Sequence, residues 1–254
     1  MIGHRSGKTS RNNGYGKAPF PRNFASPTSG SLLAVSLLMA SVALPAAARA
    51  DGVLDIDPIQ QSQPGWSWGA VGEMVMRYYR VPNTSPTDDY QCGLANFLAG
   101  KEDAQDCAQP GKIGAYQATL KIVSSYEPYA YKFFKETPSK EDPVVMRYEQ
   151  TKVLPADELI HEIEFERPII VAIEPPRVND TEKNTKQVAL IVGYKGTADN
   201  LQIIVNTPEA YEVGADPYID AGATALDTGQ YQIGYKDFIK EMRWTSTIYR
   251  LKPE

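Results

Sequence analysis

The sequence predicts an α+β fold, with helices in the first half and a sheet in the second. Two observations predict it. Apolar residues between positions 67 and 163 recur at helical spacing, whereas positions 168–251 hold β-branched runs separated by turn residues. No internal repeat or coiled-coil heptad interrupts that order.

Residues 51–65 are polar, contain Pro58 and Pro64, and read as an extended leading segment. The first helix is expected over 67–80. Val71, Met74, Val75 and Tyr78 form its buried stripe, and Ser67 stands at its N-terminus, where a hydroxyl can cap otherwise orphaned amides. Glu73 and Arg77 sit four residues apart and are expected to pair. The stretch 81–89 breaks the periodicity with two prolines and small polar residues. A short helix near 94–98, a loop over 100–111 and a long helix over 113–126 follow.

The polar run 137–143 marks the passage from a helical lobe, about 51–140, to a sheet lobe, about 141–254. Pro155 opens a further helix with Leu159, Ile160 and Ile163 on one face. Its acids Glu158, Glu162, Glu164 and Glu166 are expected to face water, and His161 to lie on its surface. Strands are expected at 168–175, 187–194 and 201–206, with a closing strand at 244–251. The Gly-, Asp- and Tyr-rich stretch 208–229 reads as a long surface loop. The tyrosines between 211 and 235 fit either a recognition surface or ordinary loop anchoring.

The first fifty residues read as an export signal. Arg5, Lys8, Arg11, Lys17 and Arg22 form an acid-free basic region, residues 32–44 are apolar, and Ala48-Arg49-Ala50 offers a cleavage site before Asp51. The apolar run is too short to span a bilayer comfortably and no basic stop follows it, so no membrane association is expected after cleavage. Periplasmic and secreted destinations look alike in these residues. The remaining 204 residues carry 20 basic against 31 acidic side chains, a net charge of −11. Such a surface repels nucleic acid.

Cys92 and Cys107 both fall in the exported part, where an even count suggests a disulfide. Neither zinc spacing fits, because His161 is the only histidine left after cleavage. The chain has no P-loop or dinucleotide fingerprint, and no metal or cofactor is expected.

Four stretches carry the chemistry. Gln61-Ser62-Gln63 precedes Trp66-Ser67-Trp68 and Ala70; "QCGLANFLAG" occupies 91–100; "ALIVGY" occupies 189–194; and "VNTP" occupies 205–208. In type and order they resemble the bacterial papain-like cysteine peptidases, including the bacteriocin-leader-processing peptidases and secreted effector proteases. The resemblance implies a papain-like fold, with a helical lobe packed on an antiparallel sheet. It implies a cysteine nucleophile at the position of Ser67 and a histidine at that of Gln187. Asn206 stands where the residue orienting the histidine is expected, and Gln61 where the oxyanion-hole glutamine is expected. Trp66 and Trp68 fall where aromatics surround the cleft. A binding cleft of Gln61, Trp66, Ser67, Trp68, Gln187 and Asn206 follows from the resemblance, with Gln187 bonded to Asn206 or Ser67.

The chemistry implied by the family does not follow. A thiol with an ordinary pKa near 8.5 is activated by a helix N-terminus and an imidazolium, whereas a hydroxyl is a far weaker acid and needs a general base within about 3 Å. Gln187 cannot accept a proton near neutral pH. Glu73 lies too deep in the first helix to serve Ser67. The expected function is therefore an inactive papain-like protein that binds a peptide or protein partner. The alternative is a hydrolase acting through Ser67 with a base from elsewhere in the chain.

Overall fold

The computed structural model describes residues 51–83, 88–101, 104–124, 146–176, 186–212 and 214–253. The signal-like residues 1–50 and the polar connection 137–143 lie outside the described residues.

Strand β1 (Asp51–Val53) comes first. Helices α1 (Ser67–Tyr78), α2 (Tyr90–Leu98) and α3 (Ala115–Ser124) follow. Then come β2 (Met146–Thr151), α4 (Ala156–Glu164), β3 (Ile169–Ile173), β4 (Gln187–Lys195) and β5 (Gln202–Asn206). The chain closes with α5 (Pro217–Asp220), β6 (Thr224–Asp227), β7 (Gln230–Gly234), α6 (Tyr235–Glu241) and β8 (Ser246–Pro253). Helices α1, α2 and α3 pack on one another, and α1 and α3 also pack on β4. The expected order of helical region and antiparallel sheet is therefore observed.

The strands form one antiparallel sheet in the order β2-β8-β3-β4-β5-β7-β6, with β1 added beside β4. Strands β3 and β4 are buried along nearly their whole length, as their uninterrupted aliphatic runs require. Gly193 allows β1 its place. A Cβ there would stand 2.8 Å from the Gly52 carbonyl oxygen, which is backbone and cannot swing away.

The helix expected near 94–98 begins four residues earlier, because the Asp89 carboxylate caps it by accepting from the Cys92 amide. Glu73 and Arg77 pair as expected, at 2.7 Å. His161 is exposed on α4, its ring 4.3 Å from Phe165.

Two expectations are corrected. Glu162 does not face water but is fully buried. Arg167 donates to it at 2.8 Å and the Arg250 amide at 3.0 Å, which ties α4 to β8. The stretch 208–229 is not a plain surface loop. It contains α5, whose first turn is capped by Asp216, and edge strand β6. Tyr218 is fully buried there, stacked on Tyr231 at 4.6 Å, and Tyr231 donates to Asp216 at 2.5 Å. Tyr218 and Tyr231 thus anchor the stretch in the core.

Cys92 and Cys107 are joined, with Cα atoms 4.9 Å apart across a sequence separation of 15. The bond ties α2 to the loop after it. Replacing both cysteines by serine is expected to cost about 3 kcal/mol in the chain-entropy account. The lowered urea midpoint of the double variant measures it.

Candidate functional site

Helix α1 aims its N-terminus at the start of β4. Ser67 is the first helical residue, and Trp66 holds the cap position without a side-chain cap bond. The expected role of Ser67 as a helix cap is corrected by its partner. The amides of Gly69 and Ala70 bond the Trp66 carbonyl, while the Ser67 hydroxyl accepts from the amide of Val188 at 3.2 Å. Val188, 121 residues from Ser67 in sequence, directly follows Gln187, so the fold brings together the two positions where the resemblance implies nucleophile and histidine. Among the described residues that amide is the hydrogen-bond partner the hydroxyl has. It is a donor, and it removes no proton from oxygen.

Gln187 is held elsewhere than expected. Its Nε2 donates to the Glu209 carboxylate and its Oε1 accepts from the Tyr211 hydroxyl at 3.3 Å. This amide orientation is the one the partners demand, because an ionised carboxylate only accepts. Burial, helped by Tyr218 and the nearby Glu209 charge, pushes the Tyr211 phenol well above its ordinary range and keeps it a donor.

Asn206 does not reach Gln187 or Ser67. Its Nδ2 donates to the Ile56 carbonyl at 2.8 Å and its Oδ1 accepts from Gln230 at 2.8 Å. The expected bond from Gln187 to Asn206 or Ser67 is therefore corrected: Asn206 joins the leading segment to β7 instead. Register explains it, since Asn206 pairs with Leu190, three residues along β4 from Gln187.

Gln61 lies on the approach to α1, half-buried, and its backbone amide donates to the Pro208 carbonyl at 2.8 Å. Thr207 is stitched in turn to the Gly229 carbonyl. Gly229 has φ +78, and a Cβ there would meet the Thr207 carbonyl oxygen at 3.0 Å, so glycine is required twice over. The stretch 207–211 is thus pinned between the leading segment, Gln187 and the β6–β7 turn.

Of the six residues expected to line a cleft, five are buried. Ser67 is 2% exposed, Trp68 3%, Trp66 5%, Gln187 7% and Asn206 0%. The two indoles pack against each other with centroids 5.3 Å apart. Glu209 and Tyr211 are the site residues that sequence reading missed, although both follow within five residues of Asn206. Gln91 was missed as well. It accepts from the Ser62 amide and donates to the Gln60 carbonyl, each at 2.9 Å, and its Nε2 also reaches Glu73 at 3.1 Å. It fastens the leading segment to α1. Among the described residues no group of three or more His, Cys, Asp or Glu side chains is placed to hold a metal ion, and no helix is long and apolar enough to cross a membrane.

No protein-family model and no curated protein matches the chain. Among solved structures, it is similar to digestive procathepsin L 3 of Tenebrio molitor larval midgut, at 13% identity and a TM-score of 0.42, over 81% of this chain and 71% of that one. It is also similar to the peptidase domain of Streptococcus ComA, a bi-functional ABC transporter involved in a quorum-sensing pathway. That match has 14% identity and a TM-score of 0.39, over 78% of this chain and 99% of that one. Both TM-scores lie below 0.5, and the chemistry of those proteins is not carried over to this chain on them.

Proposed function

We propose that the chain is an exported, catalytically silent papain-like protein that binds a peptide or protein partner instead of cutting peptide bonds. The observation that carries this reading is the hydrogen bond from the Val188 amide to the Ser67 hydroxyl. A nucleophilic serine hands its proton to a base, and here the atom beside the oxygen is itself a donor. Gln187, the next residue, keeps its amide on Glu209 and Tyr211. The pinned stretch 207–211 sets access for a partner, which meets half-buried Gln61 and Glu209 at the rim before any deeper residue.

One observation favours a second reading, a hydrolase working through Ser67. Glu209 brings a carboxylate to Gln187, so a base stands one side chain away from the hydroxyl's neighbourhood. An activity-based probe for serine and cysteine nucleophiles separates the two. The expected result is no labelling of the wild type and clear labelling of the Ser67→Cys, Gln187→His double variant. Wild-type labelling that disappears in Ser67→Ala and in Glu209→Gln would establish the hydrolase instead.

A further inference from the structure

Four large apolar side chains among the described residues stand open to water: Val53, Phe165, Ile219 and Leu226. The last two belong to one edge of the sheet. Leu226, 44% exposed, is in β6, and Ile219, 48% exposed, is in α5, which packs beside β6. All four residues of β6 are exposed. Strand β7 takes one side of β6, and no described strand takes the other. Such an edge offers unpaired backbone N–H and C=O groups, which proteins ordinarily blunt with lysine, proline or a covering element. Strand β6 has neither lysine nor proline. Its bulge at Leu226, between the paired Ala225 and Asp227, and its length of four residues limit it to a short added ladder.

The charge at this edge has one sign. Residues 207–235 hold Glu209, Glu212, Asp216, Asp220 and Asp227 and no lysine or arginine. Asp216 is spent on the Tyr218 amide and the Tyr231 hydroxyl, and Glu209 on Gln187. Asp220 of α5 and Asp227 of β6 are exposed, and neither is in an ion pair among the described residues. The Asp227 Oδ1 accepts from the Thr228 amide at 2.6 Å, which leaves Oδ2 to solvent. The strand at the opposite edge, β2, carries both signs in Arg147 and Glu149. A second copy of this chain laid along β6 would set carboxylate against carboxylate, and like charges opposed across strands destabilise a sheet. A cationic strand does the reverse.

We propose that β6 docks an extended peptide carrying both cationic and apolar side chains, which joins the sheet as one more strand. The peptide backbone pairs with the outer side of β6 and supplies affinity, and its side chains supply selection. Its lysine or arginine side chains answer Asp220 and Asp227, and its apolar ones cover Leu226 and Ile219. The surface lies outside the buried residues around Ser67, and the proposal holds whether or not that hydroxyl is silent.

The test titrates the full chain, by calorimetry and amide NMR, with an acetylated and amidated hexapeptide of alternating lysine and valine. Two controls are the same peptide methylated on every backbone nitrogen and its counterpart with glutamate for lysine. The lysine peptide is expected to saturate, to shift the amides of residues 219–220 and 224–227, and to bind about tenfold more tightly than the methylated form. The glutamate peptide is expected not to saturate. Asp220→Asn, Asp227→Asn and Leu226→Ser are each expected to weaken binding about threefold, and added salt to weaken it further. All three side chains are exposed, and Asn keeps the oxygen that holds the Thr228 amide, so the variants retain the fold, which circular dichroism checks. Equal affinity for the methylated peptide, failure of the lysine peptide to saturate, or indifference to Asp227→Asn and Leu226→Ser overturns the proposal. So do shifts at residues 67 and 187–188 in place of β6, or a dimer of the chain that Leu226→Ser dissociates.

Discussion

Glu162→Ala is expected to cost about 3–5 kcal/mol, the range for removing one partner of a buried ion pair. Glu162 is fully buried, receives Arg167 at 2.8 Å and also accepts the Arg250 amide. Its removal strands a guanidinium that is itself largely covered and an amide in a β-strand. Denaturant unfolding measures the loss. Glu162→Gln separates charge from shape, and its pH dependence carries a definite sign. Burial pushes the folded-state carboxyl above its ordinary range, against the pull of Arg167. The folded protein therefore holds that proton more tightly than the unfolded chain does. The contribution is fully present below the ordinary glutamate pKa, about 4.3, and is lost as pH rises through the folded value. The wild type should accordingly gain on Glu162→Gln as pH falls from neutrality toward 4. A difference independent of pH would show that the carboxyl titrates alike in both states.

Tyr218→Ala is expected to cost about 3–5 kcal/mol, as other large buried aromatics do when truncated. Tyr218 is fully buried between Tyr211 at 6.0 Å and Tyr231 at 4.6 Å, with Phe238 at 6.4 Å. Its effect extends beyond stability, because Tyr211 carries the hydroxyl bonded to Gln187. Loss of the ring removes the support behind that hydroxyl. Hydrogen exchange at residues 207–212 and 187–188 should rise more in this variant than in a variant of matched stability, such as the double cysteine replacement. An increase confined to α5 and β6 would show that the stretch beside Gln187 holds itself.

The order of helices and strands was legible because α1, β3, β4 and β5 follow simple periodicities, and their ends lie within three residues of those expected. Three things were not. Strand β1 has three residues and exists by pairing with β4, far along the chain, so no local pattern announces it. The stretch 208–229 has the composition of a loop, and its burial rests on Tyr218, a residue equally suited to a surface. Glu162 looked solvated because helix α4 has acids on several sides, and only Arg167 and β8 decide which one is covered. At the candidate site, proximity of the Ser67 and Gln187 positions was readable from the motif order. The partners were not, because hydrogen bonding there depends on strand register and on Glu209 and Tyr211.

The stitches between residues 51–61 and residues 192–208 also set a timetable for synthesis. Gln61 needs Pro208, Leu54 needs Val192, and Ile56 needs Asn206. A nascent chain that has not yet delivered β4 and β5 can fasten Gln60 and Ser62 through Gln91, but it has no partner for Leu54 or Ile56. Closing loops of that length is slow work for a polypeptide. Residues 51–56 are locked in place late, and a chain cut short before β4 leaves them without the strands they pair with.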